Sequence, residues 1–156
     1  MFNSWMLSRD TCLLLADRLR ELRPKVAVEF GSGFSTAIMA LYCDHLISLD
    51  HSTTHAAPWP CVTVAPIADG TYKADLPDAV EFALIDGPPA RRHGRQGTFP
   101  HLWPHLSDDF EVWLDDAGRD HEQAILTDWR QRFPITVEHV ATGKGLAIIR
   151  RSDRCR

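Results

Sequence analysis

One segment constrains the fold more than any other: Val26-Ala27-Val28-Glu29-Phe30-Gly31-Ser32-Gly33-Phe34-Ser35-Thr36. Its apolar residues with a single acid near the end predict a short buried strand. Gly31 and Gly33 allow a tight turn and leave no Cβ where a ligand must approach the chain. Ser35 and Thr36 then open a helix. A strand, a Gly-x-Gly turn and a helix in that order set backbone against a nucleoside-type ligand at the carboxyl edge of a parallel sheet. A pyrophosphate would require a third glycine so that the helix amides could reach it, and that position holds Thr36. NAD is therefore disfavoured, and the expected ligand carries no phosphate.

The next apolar run, His45-Leu46-Ile47-Ser48-Leu49-Asp50, ends in an acid seventeen residues after Gly33. Nucleotide folds place a carboxylate about 20 residues beyond the glycine loop, where it accepts ribose hydroxyls. Asp50 is the candidate for that role. S-adenosylmethionine fits both signals, with Glu29 facing its ammonium group directly or through water.

At 156 residues and 44% hydrophobic, the chain is expected to form one domain over 1–156, with an N-terminal segment and helix at 1–24 and a core at 25–150. A net charge of −4 gives no general reason to expect nucleic acid as a partner. Cys12, Cys43, Cys61 and Cys155 form no C-x-x-C pair, so buried reduced thiols are expected. Leu13-Leu14-Leu15 meets Asp17 and Arg18 too soon to be a signal peptide or a membrane span. A cytoplasmic protein without membrane contact is the expectation.

Helical spacing of Leu7, Thr11, Leu14, Leu15, Leu19 and Leu22 predicts a first helix, with Ser8 as N-cap and Arg23-Pro24 as its stop. Strands are predicted at Val26–Phe30, to Asp50, at Val62–Ala65, at Phe82–Asp86 and at Glu111–Asp115. Helices are predicted from Ser35 to Cys43, with Ile38 and Leu41 inward, and from about Arg119 to Phe133. Ile135–Val140, a Gly143-Lys144-Gly145 turn and Leu146–Ile149 read as a closing hairpin. The fold class expected is α/β: a doubly wound, Rossmann-like, seven-stranded and mostly parallel sheet whose last strand inserts antiparallel. Few residues remain for a substrate-binding cap.

Four segments resemble the class I S-adenosylmethionine-dependent methyltransferases, in particular bacterial small-molecule enzymes. They are Glu29–Thr36, Leu49-Asp50, Ile85-Asp86-Gly87-Pro88-Pro89 and Leu114-Asp115-Asp116-Ala117-Gly118-Arg119. The likeness runs from about Trp5 to Arg150. It implies that Glu29, Gly31, Ser32, Gly33, Ser35, Thr36, Asp50, His51, Asp69 and Asp86 bind the cofactor. Asp69 also suits a plain Asp-Gly turn, and His51, like His55, has a surface reading. Metal-dependent O-methyltransferases are similar in a further respect. They hold magnesium or calcium between an acid after the fourth strand and an acidic pair after the fifth, which implies a metal set of Asp86, Asp115 and Asp116. Unlike catechol-type members, Gly87-Pro88-Pro89 supplies no lysine base, so the cation or His93 would substitute, and Asp86, Asp115 and His93 are the catalytic candidates.

The loop from Gly87 to Ser107 carries Arg91, Arg92, Arg95 and three histidines but no acid. Arginine forks suit a carboxylate or phosphate, so these arginines and Trp5 are the candidate contacts to a small, anionic substrate. Gly94 and Gly97 would let the loop move as a lid. His101 and His105 straddle Pro104, which spoils a zinc-binding helical face. The function expected is methylation of a small molecule on oxygen, with divalent-metal assistance and substrate contacts from loops, the N-terminal segment or the second subunit of a homodimer. Two rivals stand beside it: a catalytically silent cofactor-binding or partner module, and another metal-dependent enzyme on the same fold.

Overall fold

The structure, a computed structural model, describes residues 6–89 and 94–152. Helix α1 (Arg9–Leu22) starts where Ser8 accepts from the Thr11 amide and stops at Arg23, which turns into the left-handed region. Such a cap stabilises a helix start by about 1 kcal/mol. Thr11, Cys12, Leu15 and Leu19 form its buried stripe, while Leu14 and Leu22, also on the predicted periodicity, face outward.

Seven strands form the main sheet in the order β3-β2-β1-β6-β7-β9-β8. β1 (Val26–Phe30) is central and pairs in parallel with β2 (His45–Asp50) on one side and β6 (Val80–Ile85) on the other. β3 (Val62–Val64) extends the first side, and β7 (Leu106–Asp115) extends the second. β9 (Leu146–Arg151) inserts antiparallel between β7 and the edge strand β8 (Ile135–Val140). Strand order reverses at β1, so the crevice at the carboxyl ends of β1 and β6 is the topological position for a ligand.

The sheet is buried on both faces, which is why its parallel strands read as near-continuous apolar runs. Ala27, Phe82, Leu84 and Trp113 meet α1 and α2 (Phe34–Tyr42). Val28, Phe30, Ala83, Ile85, Val112 and Leu114 meet the other layer, which contains Phe99, Leu102, Leu126 and Trp129. Those residues sit on α4 (Thr98–Leu102) and α5 (Asp120–Arg132).

Several expectations shift. In α2 the buried arc runs through Ser35, Ile38 and Met39, and Leu41 is 72% exposed. A nine-residue helix centred on Met39 turns Leu41 well away from the sheet. β7 begins five residues before Glu111, and Asp86 lies just beyond β6. A short hairpin, β4 (Ile67–Ala68) with β5 (Thr71–Tyr72), flanks the expected Asp-Gly turn; two-residue strands are too short for a periodic signal. A short helix α3 (Thr53–Ala56) follows β2. Among the described residues, no helix is long and apolar enough to cross a membrane.

Candidate functional site

The two glycines of the turn do different work. Gly31 has φ of +97°, and a Cβ there would lie 3.0 Å from the Gly87 nitrogen and 3.1 Å from the Asp86 carbonyl carbon. Its close approach is to the chain itself, pressing the β1 turn against the start of the loop after β6. Gly33 is extended, and a Cβ on it meets no atom within 4 Å. Open space therefore stands beside Gly33, with no backbone strain to explain the glycine.

Glu29 faces inward. It is fully buried and accepts from the hydroxyls of Ser35, Thr36 (2.6 Å) and Ser48 (2.5 Å), joining α2 and β2 beneath the turn. Burial pushes its carboxyl up to about 7, against the three hydroxyl donors that favour the charged form. The expected reach from Glu29 to a cofactor ammonium is corrected accordingly: the carboxylate lies under the turn, not on its outer side. The hydroxyls of Ser35 and Thr36, expected to bind cofactor, are likewise buried and directed at Glu29.

Asp50 closes the same turn. One oxygen accepts from the Ser32 amide (2.9 Å) and hydroxyl (2.8 Å), and the other from the Ser52 amide (2.8 Å). A ribose diol would reach both oxygens only by displacing the Ser32 hydroxyl, which can rotate away. His51 lies beside it, Nδ1 3.4 Å from the carboxylate, with its ring stacked 6.2 Å from that of Tyr72. Asp69 is the first residue of the Asp69-Gly70 turn in the β4–β5 hairpin. It is exposed and ion-paired with Lys73 at 2.9 Å, which matches the plain turn reading.

At the next strand ends the three expected acids do converge: Asp86, Asp115 and Asp116 each bring an oxygen within 4.8 Å of the others. Asp115 is wholly buried, and among the described residues neither of its oxygens has a hydrogen-bond partner. Burial, then the charge of Asp116, raises its carboxyl to about 6, with Lys144 opposing. Desolvation raises Asp86 well above the usual range; Arg95 opposes this, and Asp115 and Asp116 add to it. Asp86 keeps 15% of its side-chain surface, Asp116 keeps 4% and Asp115 none, so burial sets Asp115 out of direct contact with a substrate.

Among the described residues three cations already serve this cluster. The Arg95 Nη2 lies 3.2 Å from Asp116 and 3.6 Å from Asp86, the Lys144 Nζ lies 3.8 Å from Asp116 and 4.0 Å from Asp115, and the half-exposed Arg119 places Nη1 2.8 Å from Asp116. Unpartnered carboxylate oxygens suit a hard divalent ion. Arg95 and Lys144, each within 4 Å of oxygens of this cluster, oppose one, as does Arg119, because each positive charge would repel it in a site poorly screened by water. The residues do not fit a divalent ion while Arg95 and Lys144 stay in place.

Arg95 is also a correction. Expected as a substrate contact on a mobile loop, it is 3% exposed and donates to the carbonyls of Pro88, Asp86 and Asp115 as well as to Asp116. The lid reading of the second half of the loop falls with it. Phe99 of α4 packs on Trp129 at 5.1 Å and Phe133 at 5.3 Å, and a Cβ on Gly97 would strike the Asp69 carbonyl oxygen. His101 and His105 hold Ala74 and Asp78 and share no further ligand. Asp116 adopts φ of +60° and is not the N-cap of α5, a position taken by Arg119. Trp5, Arg91, Arg92 and His93, and Cys155, lie outside the described residues.

Sequence reasoning missed three residues here. Tyr72, buried beside Gly87, stacks on His51 between the two acid sites. Glu122 of α5 is fully buried with both oxygens lacking hydrogen-bond partners, 3.9 Å from Arg95. Lys144 stands between two glycines in the predicted hairpin turn, and that flanking was the available signal. Two clefts lie elsewhere, of about 470 Å³ around Arg18, Glu81, Glu111 and Arg150, and about 530 Å³ around Gln96, Pro100, His121 and Arg132.

No protein-family model and no curated protein matches this chain. Solved structures do. An O-methyltransferase from Bacillus cereus in complex with S-adenosylhomocysteine superposes with a TM-score of 0.74 at 13% identity, over 96% of this chain and 84% of that one. The methyltransferase PaMTH1 of Podospora anserina, also bound to S-adenosylhomocysteine, gives 0.71 at 15% identity, over 96% and 81%. The N-methyltransferase NodS from Bradyrhizobium japonicum gives 0.64 at 14%, over 93% and 96%. The chain has the class I methyltransferase fold. That fold serves oxygen and nitrogen acceptors alike.

Proposed function

We propose that this protein is an S-adenosylmethionine-dependent methyltransferase that methylates a small molecule on oxygen. The open space beside Gly33, at the strand-order switch point and in the turn whose Ser32 binds Asp50 and whose Gly31 meets the Asp86-Gly87 backbone, is the observation that carries the reading. The cofactor would lie against Ser32-Gly33, with Asp50 and His51 towards its ribose and Asp86 towards the methyl group.

Asp86 is the candidate general base. Its raised carboxyl makes it a stronger base near neutral pH than an ordinary aspartate, and it retains access to solvent. With the cofactor bound there, Asp86 would take the proton of the acceptor oxygen as that oxygen bonded to the methyl carbon, and the electron pair of the sulfur–methyl bond would stay on sulfur, leaving S-adenosylhomocysteine. Asp115 and Asp116 act on Asp86 through charge, and Tyr72 and Arg95 fix the floor around it. The divalent ion implied by the resemblance has its ligands in Asp86, Asp115 and Asp116, but the charges of Arg95 and Lys144 favour a reaction without it. Trp5, Arg91 and Arg92 are the proposed contacts to an anionic acceptor.

Isothermal titration with S-adenosylmethionine and S-adenosylhomocysteine tests the reading. Micromolar binding of both supports it, and no binding of either at high micromolar concentration overturns it. Turnover on a panel of phenols, carboxylates and amines then separates an oxygen acceptor from a nitrogen one.

A further inference from the structure

The turn between β8 and β9 is built to hold one charge in one place. Gly145, at φ of +78°, presses so close to the loop after β7 that a Cβ on it would lie 2.4 Å from the Gly118 nitrogen. The Ala117 amide donates to the Gly145 carbonyl (3.0 Å) and the Gly118 amide to the Lys144 carbonyl (3.1 Å). On the other side, the Gly143 amide donates to Asp10 (2.8 Å). The side chain of Lys144 is fixed as well: its ammonium donates to the Met6 carbonyl at 2.6 Å. A surface lysine normally keeps its head free in water. This one is tied at backbone and head, directly beyond the two acids that end β7.

Arg95 and Lys144 differ in kind. Arg95 bonds to three backbone carbonyls, so its removal would leave the loops after β6 and β7 without donors. Lys144 retains 21% of its side-chain surface and adds charge beside Asp115 and Asp116 from the accessible side. Without it, the Asp115 oxygens, already lacking hydrogen bonds, would lose their nearest cation.

We propose that Lys144 is the resident cation of Asp115, beside Arg95 and Arg119 on Asp116, and holds the place that a divalent ion takes in metal-dependent enzymes of similar outline, so that the wild-type site excludes such ions. The proposal rests on the methyltransferase reading for its catalytic meaning but not for its test. It makes Lys144 a positioning residue: the charge it supplies sets the field around Asp86 and the acceptor oxygen.

Calcium titration of the whole chain tests this, with Lys144→Gln as the variant, since glutamine keeps a donor for Met6 and drops the charge. Wild type is expected to show no saturable calcium binding up to about 1 mM, the weak end of protein calcium sites. Lys144→Gln should bind calcium at least about tenfold more tightly than wild type, and adding Asp115→Asn should remove the gain. Lys144→Arg, which keeps the charge, should match wild type. Saturable wild-type binding that Asp115→Asn abolishes overturns the proposal, as does a folded Lys144→Gln protein with no gain. Should Lys144→Gln not fold, the wild-type and Asp115→Asn titrations decide alone. S-adenosylhomocysteine titrations on the same samples keep the two ideas apart: their failure strikes the methyltransferase reading and leaves the calcium result standing.

Discussion

Strand β7 carries a buried acid at each end of its core stretch, four residues apart, and the two are treated in opposite ways. Glu111, near the amino edge of the sheet, accepts from Arg18 through two nitrogens (3.1 and 2.9 Å), from Arg150 at 2.9 Å and from the Trp113 indole at 2.7 Å. Burial alone would raise its carboxyl, but Arg18, Trp113 and Arg150 outweigh that and hold it below the usual value. Asp115, at the carboxyl edge, has no hydrogen-bond partner for either oxygen, and its carboxyl is pushed up to about 6. Both are nearly inaccessible, 4% and 0% exposed. Burial therefore does not mark the chemical end of the sheet. What marks it is burial left without donors, and that distinction separates acids that hold the fold from acids that shape a site.

The comparison assigns stability to one edge and ligand binding to the other, and the sharpest test is at the turn beside Asp86. Gly33→Val fills open space without backbone strain, so the fold should survive with its melting temperature unchanged. Affinity for S-adenosylhomocysteine should fall about 1,000-fold, or about 4 kcal/mol, by titration calorimetry. Unchanged affinity in the folded variant would place the ligand away from this turn.

At the other edge, Glu111→Gln should act on stability alone. Removing one partner of a buried pair costs about 3–5 kcal/mol. Arg18 and Arg150 keep 34% and 39% of their side-chain surface in water, so a loss of about 2–3 kcal/mol in urea unfolding is expected here. Cofactor affinity per folded molecule should not move. A fall in affinity with intact stability would break the division between the edges.

Asp115→Asn should give the smallest change and the opposite sign. Folded Asp115 holds its proton to about pH 6, whereas the unfolded chain releases it near the ordinary value of 3.8. Between those values the folded state binds the extra proton, so stability falls as pH rises, and the cost stands in full above about pH 6. A shift of about two units is worth about 3 kcal/mol, and the buried asparagine amide without partners takes back part of it, so the variant should be more stable than wild type by about 1–2 kcal/mol at pH 8, with the gain gone near pH 4. Urea midpoints across that range measure it. A variant less stable at pH 8 would mean that Asp115 is worth more as a partner to Lys144 than it costs as a buried charge.

The parts of this picture that were legible from sequence are those set by local order. The run Phe82–Ile85 suits a buried parallel strand, and the glycine turn, the helix that ends before Phe133 and the Gly143–Gly145 turn fall where the residues place them. The convergence of Asp86, Asp115 and Asp116 followed from strand ends sharing one edge. Partners were not legible. Nothing near Arg95 in sequence indicates that carbonyls of residues 86, 88 and 115 will surround it, and Lys144 reaches acids 28 and 29 residues away in the chain. The inward turn of Glu29 likewise depends on Ser48, which β2 brings alongside through the register of Glu29 with Ser48. Which charges neutralise which is a property of the closed sheet.

The late position of Lys144 has a consequence during synthesis. Asp115 leaves the ribosome 29 residues before Lys144, which at about 5–20 residues per second is a gap of roughly 1.5–6 s. Through that interval β7 has no β9 to pair with, so it presents a bare edge carrying Phe110, Val112 and Leu114, a surface prone to pairing with other nascent chains. Asp115, still without Lys144 in those seconds, keeps a charge at the end of that edge, and a second copy of the same edge would bring a like charge against it. An acid that costs stability in the closed sheet would in this way oppose mispairing of the open one.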